Sequence, residues 1–233
     1  MMAQITTSGT LPRLPVTVDT VIFTVIDHTL QVLLVKRREE KFAGLWSLPG
    51  GFVGAEQALD ECALSELQAA TGVRDVYLEQ LYTFGEPGRD TRGRVVSVAY
   101  VALLAADCCP MVPNELEAEA RWWPVYEMPE LAFDHPRMIE VALERVRTKL
   151  EYTTIGFQLM GETFTLGELQ HVYEVILGRD LDKRNFRRRM QFLELVESTG
   201  EYQKEGPGRP ALLHRFHSVD FVHLRERGVH SPF

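Results

Sequence analysis

The distribution of apolar and polar residues predicts alternating strands and helices over the first 150 residues. The segment 16–26 is rich in Val, Ile, Thr and Phe, as strands are, and it is followed by a short turn. Apolar residues recur at three- and four-residue spacing in 58–71 and 135–150, which predicts two helices. Further strands are predicted at 30–36, 46–53, 76–84, 94–105 and 121–125. This order predicts an α/β domain with a mixed sheet and a helix on each face.

The pattern then changes to two closely spaced helices and a hairpin. Thr165 and Glu168 have the spacing of a capping box, which predicts a helix at 166–177. A second helix is predicted from 183 to about 197, after a short turn. Two helices joined in this way fit a helix-turn-helix. The strands of the hairpin, which would form a wing, are expected at 201–204 and 211–216.

Two domains are therefore expected, at residues 1–150 and 151–233 of the 233-residue chain. Its 45% hydrophobic and 25% charged residues are typical of a globular protein. No apolar run is long enough to cross a membrane, and the first ten residues do not resemble a signal peptide. The three cysteines have neither zinc-site nor disulfide spacing. We therefore expect a cytoplasmic protein with reduced thiols and no membrane partner.

A glycine pair and a helix follow each other in the stretch 50–73. Gly50 and Gly51 end a predicted strand, and Gly72 stops the helix at 58–71. A glycine-bearing loop that leads into a helix is a geometry often used to hold phosphates. The stretch is therefore a candidate ligand site.

This spacing resembles the Nudix box, in which Gly, Glu and an Arg-Glu-aliphatic-any-Glu-Glu-any-Gly-aliphatic run stand at fixed distances. The positions that match in register are Gly51, Glu66, Leu67, Gly72 and Val73. The positions that differ are those of the family's metal-binding glutamates and arginine: Gln57, Ser65, Ala69 and Ala70. Magnesium requires oxygen ligands, which alanine does not offer. The resemblance implies a Nudix-like fold with a pocket, but with no catalytic residues and no catalytic metal.

The loop at 84–94 is similar to the ADP-ribose-handling branch of the Nudix family. This resemblance implies ADP-ribose, or a related NAD metabolite, as an effector and not as a catalytic cofactor. Arginines would meet the diphosphate as charge-assisted forks, and an aromatic ring would stack on adenine. The candidate ligand-binding residues are Arg37, Trp46, Gly50, Gly51, Phe84, Asp90 and Arg94.

The start of the second predicted helix is strongly basic, with five Lys or Arg among residues 183–189. Early residues of a recognition helix face base edges, where Arg pairs with guanine and Asn with adenine. The net charge of −8 argues against general nucleic-acid binding, so any such site is local. We expect Lys183, Arg184 and Arg187 nearest the bases. The full set of DNA-binding candidates is Thr165, Lys183, Arg184, Asn185, Arg187, Arg188, Arg189, Lys204 and Arg209.

The segments 166–174, 181–188 and 208–210 are similar to the C-terminal module of the Nudix-related transcriptional regulators of NAD metabolism, the NrtR family. The resemblance implies a dimeric repressor of NAD-metabolism genes that binds a palindromic double-stranded operator and is released by ADP-ribose. Two alternatives stay open. One is a sugar-responsive regulator of the same architecture, and the other is an active Nudix ADP-ribose pyrophosphatase with a nucleic-acid-binding tail.

Overall fold

The computed structural model describes residues 13–38, 41–74, 76–108, 117–204 and 210–217. The first unit contains the strands β1 Val16–Ile26, β2 Thr29–Arg37, β3 Trp46–Ser47, β4 Gly50–Phe52, β5 Tyr77–Phe84, β6 Val96–Leu103 and β7 Glu117–Pro124. Its helices are α1 Leu59–Thr71 and α2 His135–Leu150. The second unit contains β8 Phe164–Thr165, α3 Leu166–Leu177, α4 Lys183–Phe192, β9 Val196–Gln203 and β10 Ala211–Phe216. The predicted fold class, an α/β sheet domain followed by a winged helix, is confirmed.

β1 is the central strand of a seven-stranded mixed sheet. It pairs antiparallel with β2 and β4 and parallel with β6. β5 pairs with β6 on the side opposite β1. α1 packs on one face of the sheet and α2 on the other. β1 is buried along most of its length because both faces of the sheet are covered, so even its polar residues Thr20 and Thr24 are buried.

A two-residue turn joins β1 to β2 and reaches the second unit. Asp27 and His28 both have left-handed backbones, with φ of 47° and 63°, as the favoured hairpin turns require. His28 Nδ1 lies 2.7 Å from His171 Nε2 on α3, so one ring donates a hydrogen bond to the other. Burial and the nearby His28 lower the pKa of His171 below its ordinary value. The turn therefore connects the two units by a direct polar contact.

The hydrophobic core runs through both units without a break. A short 3-10 helix at Ile155–Leu159 follows α2 and places Phe157 against Phe216 of β10, with ring centroids 4.4 Å apart. Tyr173 of α3 meets Phe186 of α4 edge-on at 5.5 Å. The two units share one hydrophobic core. The division of the chain into two domains at residue 150 therefore remains a prediction.

The predicted strand at 46–53 forms two short strands instead of one. The Leu48 N–H donates to His135 Nδ1 at 2.9 Å, and the Pro49 carbonyl accepts from Thr20, so neither residue continues a ladder between β3 and β4. Proline also lacks a backbone donor. The break brings the glycine pair next to β1, where it forms β4.

The second helix is shorter than predicted. α4 ends at Phe192, and Glu194 adopts a left-handed backbone with φ of 54° that redirects the chain into β9. Leu193 and Leu195 are both buried on either side of this turn. The prediction that residues 198–200 end the helix is therefore wrong, because they lie within β9.

None of the helices in the described ranges has the length and apolar character needed to span a bilayer.

Candidate ligand pocket and DNA-binding surface

Gly50 and Gly51 form one side of a small cavity because they lie directly against β1. A Cβ atom at Gly50 would lie 2.6 Å from Asp19 Oδ1, and one at Gly51 would collide with the Glu66 carboxylate. Only glycine permits so close an approach. The glycine pair therefore brings backbone next to two carboxylates, from β1 and α1.

Asp19 is the buried centre of this cavity. It accepts a hydrogen bond from Ser97 Oγ at 2.5 Å and lies 3.5 Å from His135 Nε2 and 3.8 Å from Arg89 Nη2. Because His135 Nδ1 accepts from the Leu48 N–H, its Nε2 carries the proton and faces Asp19. Burial alone would raise the pKa of Asp19, but His135, Ser97 and Arg89 together lower it below its ordinary value. Asp19 is therefore ionised at neutral pH.

Two arginines from the loop between β5 and β6 enter the cavity. Arg89 makes a two-pronged ion pair with Asp134, at 3.0 and 2.7 Å, and its side chain is only 4% exposed. Arg92 makes a similar pair with Asp90, whose carboxylate is buried, but the Arg92 side chain is 30% exposed. Arg89 is thus largely neutralised in place and shielded from solvent, while the Arg92 side chain stays partly exposed at the cavity.

Aromatic rings alternate with guanidinium groups at the mouth of the cavity. The guanidinium carbons of Arg37 and Arg92 lie 4.9 and 5.4 Å from the Phe133 ring centre. Phe52 lies 5.6 Å from Arg92 and is 55% exposed. Phe133 has a left-handed backbone with φ of 58°, which is rare for a bulky residue. Strained backbone of this kind clusters at functional sites.

The cavity has a volume of about 80 Å³. Typical ligand pockets measure roughly 300–1,000 Å³, so a ligand as large as a dinucleotide would extend out of it. The cavity is lined by Thr17, Asp19, Arg37, Gly50, Gly51, Phe52, Arg89, Asp90, Arg92, Phe133 and His135. This lining suits an anionic group held between guanidinium groups.

The residues at the Nudix box positions do not fit a magnesium site. Glu61 accepts a hydrogen bond from the Ala58 N–H at 3.2 Å, and Gln57 accepts one from the Gly54 N–H at 3.2 Å. Burial and the Asp19 carboxylate raise the pKa of Glu66, which disfavours its ionised form. No cluster of three metal-binding side chains occurs within the described parts of the chain. The described side chains at this site therefore do not supply a set of magnesium ligands.

The structure brings four of the seven predicted ligand-binding residues to the cavity: Arg37, Gly50, Gly51 and Asp90. Trp46 instead meets Trp123 edge-on at 5.4 Å, and Phe84 is buried beside Tyr82. Arg94 is exposed outside the cavity, and its guanidinium donates to the Gly85 carbonyl. Asp90 faces the cavity but serves chiefly to hold Arg92.

The sequence-based site prediction missed five lining residues that matter: Asp19, Arg89, Arg92, Phe133 and His135. One local signal was available, since Asp19 is the only charged residue in the strand predicted at 16–26. Arg89 and Arg92 lie in the loop already singled out. Nothing in the sequence around Phe133 indicates that its backbone is strained.

α4 carries six of the nine predicted DNA-binding residues. Asp182 caps the helix by accepting from the Asn185 N–H at 2.7 Å. Phe186 and Met190 are buried against the core, which turns Arg184 and Arg188 outward. The Arg188 guanidinium donates to Asn185 Oδ1 at 3.0 Å. Arg184 and Arg188 therefore lie opposite the core, whereas Lys183 and Arg187, which were also expected nearest the bases, are exposed on a neighbouring side of α4.

The other candidates that the structure describes lie on neighbouring sides of α4, just before α3 and just after β9. Lys183 and Arg187 are exposed, whereas Arg189 is half-buried. Burial lowers the pKa of His214 on β10, and the positive charge of Arg187 adds to this. Thr165 caps α3 by accepting from the Glu168 N–H at 3.1 Å. Two candidates belong to the wing: Lys204 is exposed just after β9, and Arg209 lies outside the described residues.

Comparison with known proteins agrees with both halves of this geometry. The chain matches the NUDIX domain family over residues 15–142 and the NrtR DNA-binding winged helix domain over residues 156–216. It is 40% identical over 210 residues to the ADPR responsive transcriptional repressor NtrR of Acinetobacter baylyi, covering 88% of this chain and 83% of that protein.

Two solved structures of Shewanella oneidensis NrtR are similar to the chain. The complex with a 27mer DNA is 41% identical with a TM-score of 0.77, covering 87% of this chain and 93% of that one. The NUDIX domain complexed with ADP ribose is 42% identical with a TM-score of 0.53, covering 58% and 90% respectively. With a Nudix domain followed by a winged helix and this degree of identity, the chain belongs to the NrtR family.

Proposed function

We propose that this protein is a DNA-binding transcriptional repressor of NAD-metabolism genes that ADP-ribose releases from its operator. The main support is that one chain contains both a Nudix pocket lined by guanidinium groups and a row of outward-facing arginines on α4. The repressor, DNA-bound and ADP-ribose-bound relatives support the same assignment. The direct test is whether ADP-ribose weakens binding to an operator selected from random DNA.

The ligand of the pocket is ADP-ribose, with its diphosphate between Arg37 and Arg92. Both guanidinium groups lie within cation–π distance of the Phe133 ring, which favours their positions before the ligand arrives. A thermal-shift panel of ADP-ribose, NAD and pentoses tests this choice. Stabilisation by a pentose but not by ADP-ribose would favour a sugar-responsive regulator of the same architecture.

The Nudix domain binds ADP-ribose without hydrolysing it. Ala69 and Ala70 supply no oxygen ligands, Glu61 caps the start of α1, and Glu66 lies against Gly51. Incubation with ADP-ribose and magnesium should leave the ligand intact when nucleotides are separated by chromatography. Release of AMP at about 1 per second or faster would instead identify an active pyrophosphatase.

The row of Arg184 and Arg188 reads base edges, while Arg189 contacts phosphate from the side of α4. Arg184→Ala or Arg188→Ala should cost about 1–3 kcal/mol on the selected operator and relax its sequence preference. Arg189→Ala should weaken all sequences alike and reduce the salt slope by about one. Competition binding at several salt concentrations measures both. Equal losses on operator and random DNA for all three variants would mean that sequence is read elsewhere.

α2 is the physical connection between the two sites. Its first residue, His135, faces Asp19 in the pocket, and Asp134 just before it pairs with Arg89. Near its other end, the Arg147 Nε donates to the Ile176 carbonyl of α3 at 2.7 Å. Sixteen residues make a helix about 24 Å long, so a ligand that displaces its start can move its end.

The protein acts as a homodimer on a palindromic operator. One winged helix contacts few base pairs, and two-fold proteins read half-sites about one helical turn apart or multiples of it. Light scattering at micromolar concentration should give twice the mass of the 26.6 kDa chain. A monomer both with and without operator DNA would contradict this proposal.

A further inference from the structure

Phe192 ends α4 with its aromatic ring in solvent. It is 80% exposed, the highest value among the large apolar side chains in the described part of the chain. The backbone fixes this position. The Leu193 N–H donates to the Arg189 carbonyl at 2.9 Å, and the turn at Glu194 then sends Leu195 into the core. Phe192 therefore faces outward because its neighbours are anchored inward.

Phe192 continues the row of outward arginines. Arg184, Arg188 and Phe192 are spaced by four residues, so they lie along one side of α4. At about 100° per residue, this row faces away from the buried stripe of Phe186 and Met190. Phe192 thus belongs to the surface that the proposed function assigns to DNA, and not to the margin of the core.

The ring has a specific partner in the major groove. Arginines in such a row meet guanine edges or phosphates, but a phenyl ring can do neither. The apolar group that the major groove offers is the C5-methyl of thymine, which phenylalanine is suited to contact. We propose that Phe192 reads thymine through this methyl group and is a specificity-determining residue of the repressor. This inference rests on the proposed function.

The spacing along α4 also predicts where the thymine lies. Eight residues separate Arg184 from Phe192, about 12 Å along the helix axis. Successive nucleotides of one strand are about 3.4 Å apart along the duplex. The thymine should therefore lie about three to four base pairs from the pair that Arg184 contacts.

The test compares operators that differ only in methyl groups. The full-length protein selects its operator from a random pool, and the operator is then made with thymine or with uracil, which lacks only the C5-methyl. In fluorescence anisotropy, wild type should bind the uracil form about four-fold more weakly for each methyl group that it contacts. This factor corresponds to about 0.8 kcal/mol for each buried carbon group. Replacing thymines singly should locate the effect at the expected spacing from the guanine that Arg184 contacts.

Three variants make the comparison specific. Phe192→Ala should bind the thymine operator more weakly and bind the two forms equally, because the methyl has lost its partner. Phe192→Leu keeps an apolar side chain and should retain part of the discrimination. Tyr82→Ala removes an aromatic that is 60% exposed on the sheet domain, and should keep the full wild-type ratio.

Several results would overturn the inference. One such result is wild-type protein that binds the thymine and uracil operators equally. Another is a Phe192→Ala variant that keeps the wild-type ratio of the two affinities. Phe192→Ala that turns a wild-type dimer into a monomer in light scattering would instead assign the ring to a contact between copies. Wild type that selects no DNA at all would overturn the proposed function itself, and that failure is recognisable before any base comparison.

Discussion

At the scale of single residues, the buried carboxylate of Asp19 organises the side chains around the pocket. It is the one charged residue in β1, and a carboxylate buried without partners would be strongly destabilising. Ser97, Arg89 and His135 supply those partners from three different segments. The position of the pocket-lining groups therefore follows from the need to satisfy one buried charge.

Replacing Asp19 by Asn should lower the free energy of unfolding by about 1–3 kcal/mol at neutral pH, since charged hydrogen bonds are lost. The pKa of Asp19 is lower in the folded than in the unfolded state. Its stabilisation is therefore complete above the unfolded pKa of about 3.9 and is lost as the pH falls through the folded pKa. Urea unfolding should show wild type and variant converging in acid.

The exposed turn residue Asp27 provides a matched control for that experiment. Asp27→Asn preserves the left-handed turn, because asparagine tolerates this backbone. It should leave the free energy of unfolding unchanged at every pH. A difference between wild type and Asp19→Asn that stays constant down to the lowest pH would contradict the assigned ionisation.

Arg92 should contribute more to ADP-ribose affinity than any other residue of its loop. Arg92→Ala should weaken binding about 10- to 100-fold in calorimetry, the range expected for lost charged hydrogen bonds. Arg92→Lys keeps the charge but loses the fork, and should fall in between. Arg94→Ala should have little effect because Arg94 does not line the cavity and its guanidinium donates to the Gly85 carbonyl. Equal losses for Arg92 and Arg94 would restore the sequence-based assignment of Arg94 to the ligand.

At the scale of elements, local signals explain which parts of the fold were predictable. The starts of α3 and α4 follow from side-chain caps at Thr165 and Asp182, which act within one turn. The end of α4 was not predictable, because it depends on burying Leu195 against a core built from distant segments. Trp46 was a candidate ligand-binding residue from the sequence, yet it is buried and packs against Trp123. The pocket likewise joins residues from distant segments, which no local pattern records.

α2 should carry the coupling between the two sites. Arg147→Ala removes its bonds to the Ile176 carbonyl and to the Tyr126 hydroxyl, both at 2.7 Å. We expect the variant to bind ADP-ribose and operator separately almost as wild type does. The factor by which ADP-ribose weakens operator binding, typically about 5- to 150-fold for allosteric proteins, should fall towards one.

The control for Arg147 lies on the same helix. Arg137 pairs with Glu140 on the exposed side of α2, where both side chains are 67% exposed. Arg137→Ala should leave the coupling factor at its wild-type value. If Arg147→Ala also kept the wild-type factor, the connection between the sites would run through another contact, such as that between His28 and His171.

At the scale of the whole molecule, a net charge of −8 coexists with a local basic surface. The acidic excess disfavours indiscriminate binding to nucleic acid, which fits the proposal that the arginines of α4 and the operator sequence supply the affinity. The continuous core holds this surface at a defined position relative to the pocket. One continuous core thus links the ligand pocket to the unit that carries α4.

The central claim is that ADP-ribose releases this protein from DNA without being consumed. The most direct measurement is a titration of the operator complex with ADP-ribose in the presence of magnesium, followed by fluorescence anisotropy, with the nucleotide then recovered and separated by chromatography. Anisotropy should fall to that of free DNA, and the ADP-ribose should be recovered intact. Anisotropy that stays constant at saturating ADP-ribose, or release accompanied by stoichiometric AMP, would contradict it.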